Sequence, residues 1–247
     1  MPDATLIKPI KPINPITPTS ITHIIFDFDG LLVDTEPLYT IANAKCLEPY
    51  GKQFTKELKA GQMGRKQGEA LQYVIDQLNI GHLVSLEEYN KKYEELLDNM
   101  YHTALACPGA ERLVRHIAEK NIPMALCTGS ASHDFPLKAK PHWDWLSLIG
   151  FHVLTGDDPK VQRGKPHPDG YLETMNRFAV PPASPSNVLV FEDAPNGVRA
   201  ALAAGMHCVH VPAGPEFHVS DEEKKRIQVL DSLLDFKPSD YGLPEFS

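Results

Sequence analysis

Four short apolar runs constrain the fold of this chain more than any other feature. "ITHIIFDF", "IPMALCT", "SNVLVFED" and "MHCVHVP" are each about the length of a strand, and none alternates cleanly between apolar and polar residues. Lack of alternation means that both faces of a strand are covered, as in parallel sheets. Between the runs lie helical patterns such as "PGAERLVRHIAEKN" and "APNGVRAALAAGM", and each run meets a loop rich in Gly, Asp or Pro. Strand, helix, strand at this spacing predicts an α/β fold, an open parallel sheet flanked by helices and joined by right-handed crossovers.

One long stretch interrupts the pattern. Residues 36–102 hold no strong strand signal, whereas "EPLYTIANAKCLEPYG", "KQGEALQYVIDQLN" and "SLEEYNKKYEELLDNMYH" carry helical periodicity. The stretch reads as an inserted α-helical unit standing over the carboxyl end of the first strand, with residues 21–35 and 103–247 forming the α/β core. Residues 1–20, "MPDATLIKPIKPINPITPTS", repeat proline too often for a continuous helix and are expected to form a flexible, extended tail. In "DSLLDFKPSDYGLPEFS", Leu233, Leu234 and Phe236 are expected to pack back on the sheet while the last residues fray.

Composition narrows the partners. Thirty-two acidic residues against 24 Lys and Arg, a net charge of -8, argue against a nucleic-acid polymer and leave room for a local basic pocket that takes a small anion. No run of 18 apolar residues follows the proline-rich start, and the four cysteines form no CxxC pair. The expectation is a soluble, cytoplasmic protein with no membrane span, no zinc site and no disulfide framework.

Candidate chemistry gathers where the runs end, because ligands of open parallel sheets bind outside the carboxyl ends of the strands. Asp27 and Asp29 close the first run and precede Gly30, so both carboxylates can face one substrate if the chain turns there. An ordinary DxDG turn, with acids capping backbone N–H groups, explains the same residues. Glu192 and Asp193 end a second run before another small-residue turn. If Asp27 and Asp193 converge, their repulsion at about 4 Å is about 4 kcal/mol at an effective dielectric near 20, so a cation is implied or their pKa values must move. Hard oxygen ligands suit Mg2+. Thr128 and the backbone N–H groups beside it, Gly129 included, can hold phosphoryl oxygens after a third run, and Lys165 in "RGKPHPDGYL" offers an ammonium for phosphate and acids alike.

At these residues the chain resembles the haloacid dehalogenase-like hydrolase superfamily. "DFDG" at 27–30, Thr128, Lys165 and Glu192-Asp193 match its four motifs in order, over Ile21 to Pro212. The resemblance implies a Rossmann-like core with a mobile helical cap and a Mg2+-dependent phosphatase for a small phosphorylated metabolite. By it Asp27 attacks phosphorus, Asp29 serves as acid and then base, and the ion is held by the side chains of Asp27 and Asp193 and the carbonyl of Asp29, with Glu192 supporting. "FDFDGLLVDTEPLY", "GDDP", "GKPHPD" and "VFEDAPNGVRAALAAGM" look more narrowly like the subgroup that contains pseudouridine 5'-phosphatase. That subgroup makes a nucleotide or sugar monophosphate such as pseudouridine 5'-phosphate the expected substrate. In the cap, Arg65 and Glu36 are candidates to face it.

Two rivals stay open. A β-phosphoglucomutase-like mutase needs the same acids, and a non-enzymatic aspartyl-phosphate signalling or binding protein also uses a parallel sheet with Asp, Thr and Lys. The histidines form no HExxH pattern and read as surface or local hydrogen-bonding groups. His167, beside Lys165, is a supporting candidate. Asp157 and Asp158 in "TGDDP" are candidates to position Lys165 or the metal region, and a polar turn explains the same residues.

Overall fold

The structure is a computed structural model that describes residues 21–62, 67–212 and 220–246. β1 (His23–Phe26) leads to a two-residue strand, β2 (Val33–Asp34), and then to α1 (Glu36–Leu47), α2 (Lys56–Gln62), α3 (Gln67–Gln77) and α4 (Leu86–Met100). β3 (Leu105–Ala106) returns antiparallel to β2, pairing Val33 with Ala106 and Asp34 with Leu105. The chain therefore enters and leaves its helical stretch through one short ribbon. There follow α5 (Ala110–Glu119), β4 (Met124–Thr128), α6 (Asp134–Ala139), α7 (Trp143–Leu146) and β5 (His152–Leu154). After these come α8 (Asp169–Arg177), β6 (Val188–Glu192), α9 (Pro195–Ala203), β7 (His207–His210), α10 (Asp221–Lys224) and β8 (Ile227–Val229).

Six strands form a parallel sheet in the order β5-β4-β1-β6-β7-β8, the open Rossmann-like arrangement expected from the apolar runs. The runs themselves are β1, β4, β6 and β7, and the edge strands β5 and β8 are three residues each, too short for a clear pattern. Successive strand residues point to opposite faces. Ile24, Phe26, Leu189 and Phe191 enter one buried layer with Leu113 and Phe236, while Ile25, Ala125, Val190 and Cys208 enter another with Tyr171 and Val198. Phe26 and Phe191 stack across the β1–β6 pair at 5.1 Å, and truncating either to alanine is expected to cost about 3–5 kcal/mol.

The helices follow local rules. α4 starts in a capping box, with Ser85 Oγ accepting from the Glu88 N–H and the Glu88 carboxylate accepting from the Ser85 N–H. Its buried Tyr89, Tyr93 and Leu97 recur every four residues along one face. α9 opens on Pro195, whose missing N–H is unneeded in the first turn.

The carboxyl-terminal expectation needs two corrections. Leu233 and Phe236 are buried, but Leu234 is 52% exposed, because a tight 3-10 turn sends neighbouring side chains in different directions. Nor do the described residues up to 246 stand free of the core. Tyr241 and Leu243 are buried, His116 Nε2 lies 2.8 Å from the Pro244 carbonyl oxygen, and the Arg112 guanidinium sits 4.2 Å over the Phe246 ring. The proline-rich segment 1–20 lies outside the described residues. No described helix is long and apolar enough to cross a membrane.

Candidate active site

β1 lies between β4 and β6 in register, with Phe26 opposite Leu126 on one side and Phe191 on the other. That alignment brings three strand ends to one edge of the sheet. Asp27 leaves β1 with its N–H on the Phe191 carbonyl, 3.0 Å away, and so stands beside Glu192 and Asp193. Ligand oxygens of Asp27, Glu192 and Asp193 lie within 4.8 Å of one another. The turn after Asp29 permits this approach. Gly30 has φ +83°, and a Cβ there would collide with Asp193 Oδ2. Gly197, in the first turn of α9, clears the Glu192 carboxylate in the same way.

One ammonium serves this acidic group. Lys165 Nζ lies 2.5 Å from Asp27 Oδ1 and 2.5 Å from Glu192 Oε1, and it also donates to the Cys127 carbonyl at 3.3 Å. Glu192 is fully buried and well supplied with donors: Tyr171 OH at 2.5 Å and the N–H groups of Asp193 and Ala194 at 3.1 and 3.2 Å. Asp193 has fewer. Burial raises its carboxyl to about 9, and the charges of Asp27 and Glu192 add to the rise. Burial also raises Asp27, to about 7, against the opposing charge of Lys165 and with that of Glu192. Three carboxylates share one ammonium, and oxygen is the only donor type among them. A second, hard cation fits this set.

Asp29 occupies a different setting. Its Oδ1 accepts from Lys138 Nζ at 2.8 Å, Thr35 Oγ1 at 2.9 Å and Tyr39 OH at 3.2 Å. Its Oδ2 accepts from Ser130 Oγ at 2.7 Å and, more distantly, Thr128 Oγ1 at 3.4 Å. Burial alone would raise this carboxyl, but the Lys138 charge and the hydrogen bonds from Lys138, Ser130 and Thr35 overcome it and hold Asp29 below the usual range. Thr128 is itself buried at the end of β4, its Oγ1 accepting from the Ser130 N–H at 3.0 Å. Gly129 follows it in the loop with open space where a Cβ would be.

The other sequence candidates divide. Glu36 pairs with Lys59 at 3.2 Å and lines a cavity in the helical stretch together with Tyr39, whose hydroxyl donates to Asp29. Arg65 lies outside the described residues. His167 is exposed. Asp157 accepts from Ser132, and Asp158 pairs with Arg177 at 2.6 Å, so neither positions Lys165. Both are claimed by nearer donors that a sequence pattern does not reveal.

Pattern reading missed Lys138, Tyr171, Ser130, Thr35 and Tyr39 OH as partners of the acids. A faint signal existed for the first two. In "DFPLKA" Lys138 stands three residues after Phe135 and one before Ala139, on the buried face of α6, and Tyr171 shares the buried face of α8 with Thr174.

Known proteins place this arrangement. A family model for haloacid dehalogenase-like hydrolases matches residues 21–205. The chain is 46% identical over 231 residues to (DL)-glycerol-3-phosphatase 1, mitochondrial, of Arabidopsis thaliana, covering 92% of this chain and 75% of that one. It is 42% identical over 228 residues to a Drosophila melanogaster protein named "Probable pseudouridine-5'-phosphatase", covering 92% and 96%. Among solved structures, a hydrolase from Deinococcus radiodurans R1 with bound phosphate and sodium superposes with a TM-score of 0.69 at 22% identity, over 89% of this chain and 95% of that one. β-Phosphoglucomutase of Clostridium difficile gives 0.65 at 22% identity, over 90% and 97%, so the fold is common to both. The ordered acids, the threonine and the lysine thus stand in a sheet of matching architecture, and the chain belongs to the haloacid dehalogenase-like hydrolase family.

Proposed function

We propose that this enzyme is a phosphatase for a small phosphorylated metabolite, working through an aspartyl-phosphate on Asp27, with residues 36–102 as a cap over the site. The observation that carries the reading is the split between two neighbouring acids. Asp27 stands in a buried acidic group with Lys165, and Asp29, two residues on, stands in a separate set made of Lys138 and hydroxyl donors. The names of the relatives at 42–46% identity support the reaction class.

In the proposed reaction Asp29, ionised in the structure, takes the proton of the monoester's phosphate as the substrate binds; an Asp27 carboxylate oxygen then attacks phosphorus as the bond to the alcohol oxygen breaks, and Asp29 gives that proton to the departing alkoxide. Water then attacks the aspartyl-phosphate and loses its proton to Asp29, while the phosphorus–oxygen bond to Asp27 breaks and restores the carboxylate. Lys165, Thr128 Oγ1 and the N–H of Gly129 stabilise charge on the phosphoryl oxygens. The side chains of Asp27 and Asp193 and the carbonyl of Asp29 would hold Mg2+, with Glu192 behind them. The bound ion supplies charge stabilisation to the phosphoryl group.

The cap supplies the leaving-group side. A cavity of about 280 Å³ among its helices is lined by polar Glu36, Asn43, Lys59 and Gln62 and by Phe54 and Leu71, a mixed set suited to an alcohol with hydroxyls and an apolar face. Glycerol phosphate and pseudouridine 5'-phosphate both meet that description, and glycerol phosphate now stands beside the nucleotide as a first choice. The test is phosphate release with and without Mg2+ from glycerol 3-phosphate, pseudouridine 5'-phosphate, uridine 5'-phosphate, flavin mononucleotide and hexose phosphates. Strong Mg2+-dependent release from one of the first two supports the reading. Isomerised hexose phosphate without free phosphate turns it towards a mutase, and no reaction across the panel leaves it without support.

A further inference from the structure

Lys138 is the second buried cation of the site and has no part in the reaction as written above. Its side chain is 4% exposed. A covered ammonium must place three donors, and here each has an oxygen: Asp29 Oδ1 at 2.8 Å, Ser130 Oγ at 2.9 Å and Tyr39 OH at 3.0 Å. An ammonium cannot accept a hydrogen bond. The two hydroxyls that receive from it must therefore send their own protons elsewhere, and both send them to Asp29. One cation thereby orients every stronger donor around that carboxylate except Thr35.

The location of these groups gives the arrangement its meaning. Lys138 belongs to α6, on the sheet side of the molecule. Tyr39 lies at the start of α1, just after the chain enters the helical stretch through β2. Tyr101 follows α4, just before the chain leaves through β3, and its ring centroid is 4.9 Å from Lys138 Nζ. Thr35, the residue before α1, also donates to Asp29. A single ammonium thus touches Asp29 together with both crossings of the helical stretch.

We infer that Lys138 is a positioning residue, which holds the Asp29 carboxylate against the two crossings so that the placement of Asp29 follows theirs. The inference rests on the proposed role of Asp29 as proton donor to the leaving alcohol. Lys138 itself contacts no reacting atom. Loss of its ammonium frees the Ser130 and Tyr39 hydroxyls to rotate and leaves Asp29 without its charged anchor. An alkyl leaving group, which needs a well-placed proton, then suffers more than p-nitrophenolate, which departs without one.

The test compares kcat and KM for glycerol 3-phosphate and p-nitrophenyl phosphate in wild type, Lys138→Met, Lys138→Arg, Tyr39→Phe and Asp29→Asn. Lys138→Met is expected to lower kcat/KM, which reports the steps up to alcohol departure and not the aspartyl-phosphate hydrolysis that both esters share, by roughly 10²-fold on the alkyl ester and about tenfold less on the aryl ester. Lys138→Arg should recover part of the alkyl rate, and Tyr39→Phe should shift the ratio in the same direction by less. Equal losses of kcat/KM on both esters in Lys138→Met overturn the inference, because a merely structural lysine would act that way. Should Lys138→Met fail to fold, Lys138→Arg and Tyr39→Phe carry the comparison under the same criterion. Asp29→Asn separates the two levels: no ester dependence there refutes the role of Asp29, whereas dependence there and none in the Lys138 variants refutes Lys138 alone.

Discussion

Asp27 and Asp29 share one turn of chain, but the protein treats them in opposite ways. On the Asp27 side, three buried carboxylates meet a single ammonium, and burial drives Asp27 and Asp193 upward. On the Asp29 side, one carboxylate meets one ammonium and a ring of hydroxyls, and its carboxyl is held low. The first half carries surplus negative charge and the second is balanced. Surplus charge is costly in a buried place unless a cation joins it, so the imbalance marks where an ion fits. Balance on the other side fixes a single carboxylate in direction.

The sharpest way to break this contrast is to neutralise each acid in turn. Asp27→Asn should lower kcat by roughly 10⁵-fold or more on every ester, as loss of a nucleophile does, while the chain still folds. Asp29→Asn should lower kcat/KM on an alkyl phosphate by about 10²–10⁴-fold and kcat/KM on p-nitrophenyl phosphate much less, since that ratio excludes the shared hydrolysis step. Equal, ester-independent losses in the two variants, read from steady-state rates, would erase the distinction.

Stability against pH sharpens it further. The folded-state value of Asp193 lies above that of an unfolded aspartate, so folding favours its protonated form. That contribution is fully present below the unfolded value, near pH 4, and is lost as pH rises towards about 9. Without divalent cations, the Tm of wild type relative to Asp193→Asn should therefore fall across this window. Mg2+ should raise Tm at about pH 8 and do little at about pH 5, where the ion competes with protons. At a hundredfold excess over Kd the gain is about 2.7 kcal/mol, or roughly 5–10 °C. A Tm indifferent to Mg2+ at the higher pH would count against an ion among these carboxylates.

The smallest effects come from the two tyrosines that serve the two halves. Tyr171→Phe removes one donor from the fully buried Glu192 and should cost about 1–3 kcal/mol in denaturant unfolding. Tyr39→Phe removes one donor from Asp29 and one acceptor from the covered Lys138 ammonium and should cost about 1–3 kcal/mol. A larger cost for Tyr39→Phe would show that the balanced half is the more dependent on its donors.

Much of the site was legible before any coordinates because strand ends are local features. Asp27, Thr128 and Glu192-Asp193 each follow or close an apolar run, and a parallel sheet must bring such ends to one edge. Lys165 was legible in the same ordered set, although its half-buried position between Asp27 and Glu192 was not. Gly30 was marked as a turn, but the reason for it, the Asp193 carboxylate lying where a Cβ would be, involves a residue from another strand. Asp157 and Asp158 looked equally well placed by sequence and proved to serve Ser132 and Arg177.

Apolar period and turn chemistry were thus enough to establish the parallel sheet, the helical stretch after the first strand and the acids at the strand ends. These depend on neighbours a few residues apart. Which donor reaches which acid was settled by packing: Lys138 and Tyr171 sit on short helices beside acids such as Asp134 and Glu173, yet their hydrogen bonds go to Asp29 and Glu192 on other segments. A buried lysine or tyrosine must find its partner in whatever lies opposite once the layers close, because an unpaired polar group there is costly. That partner is known only when distant segments meet.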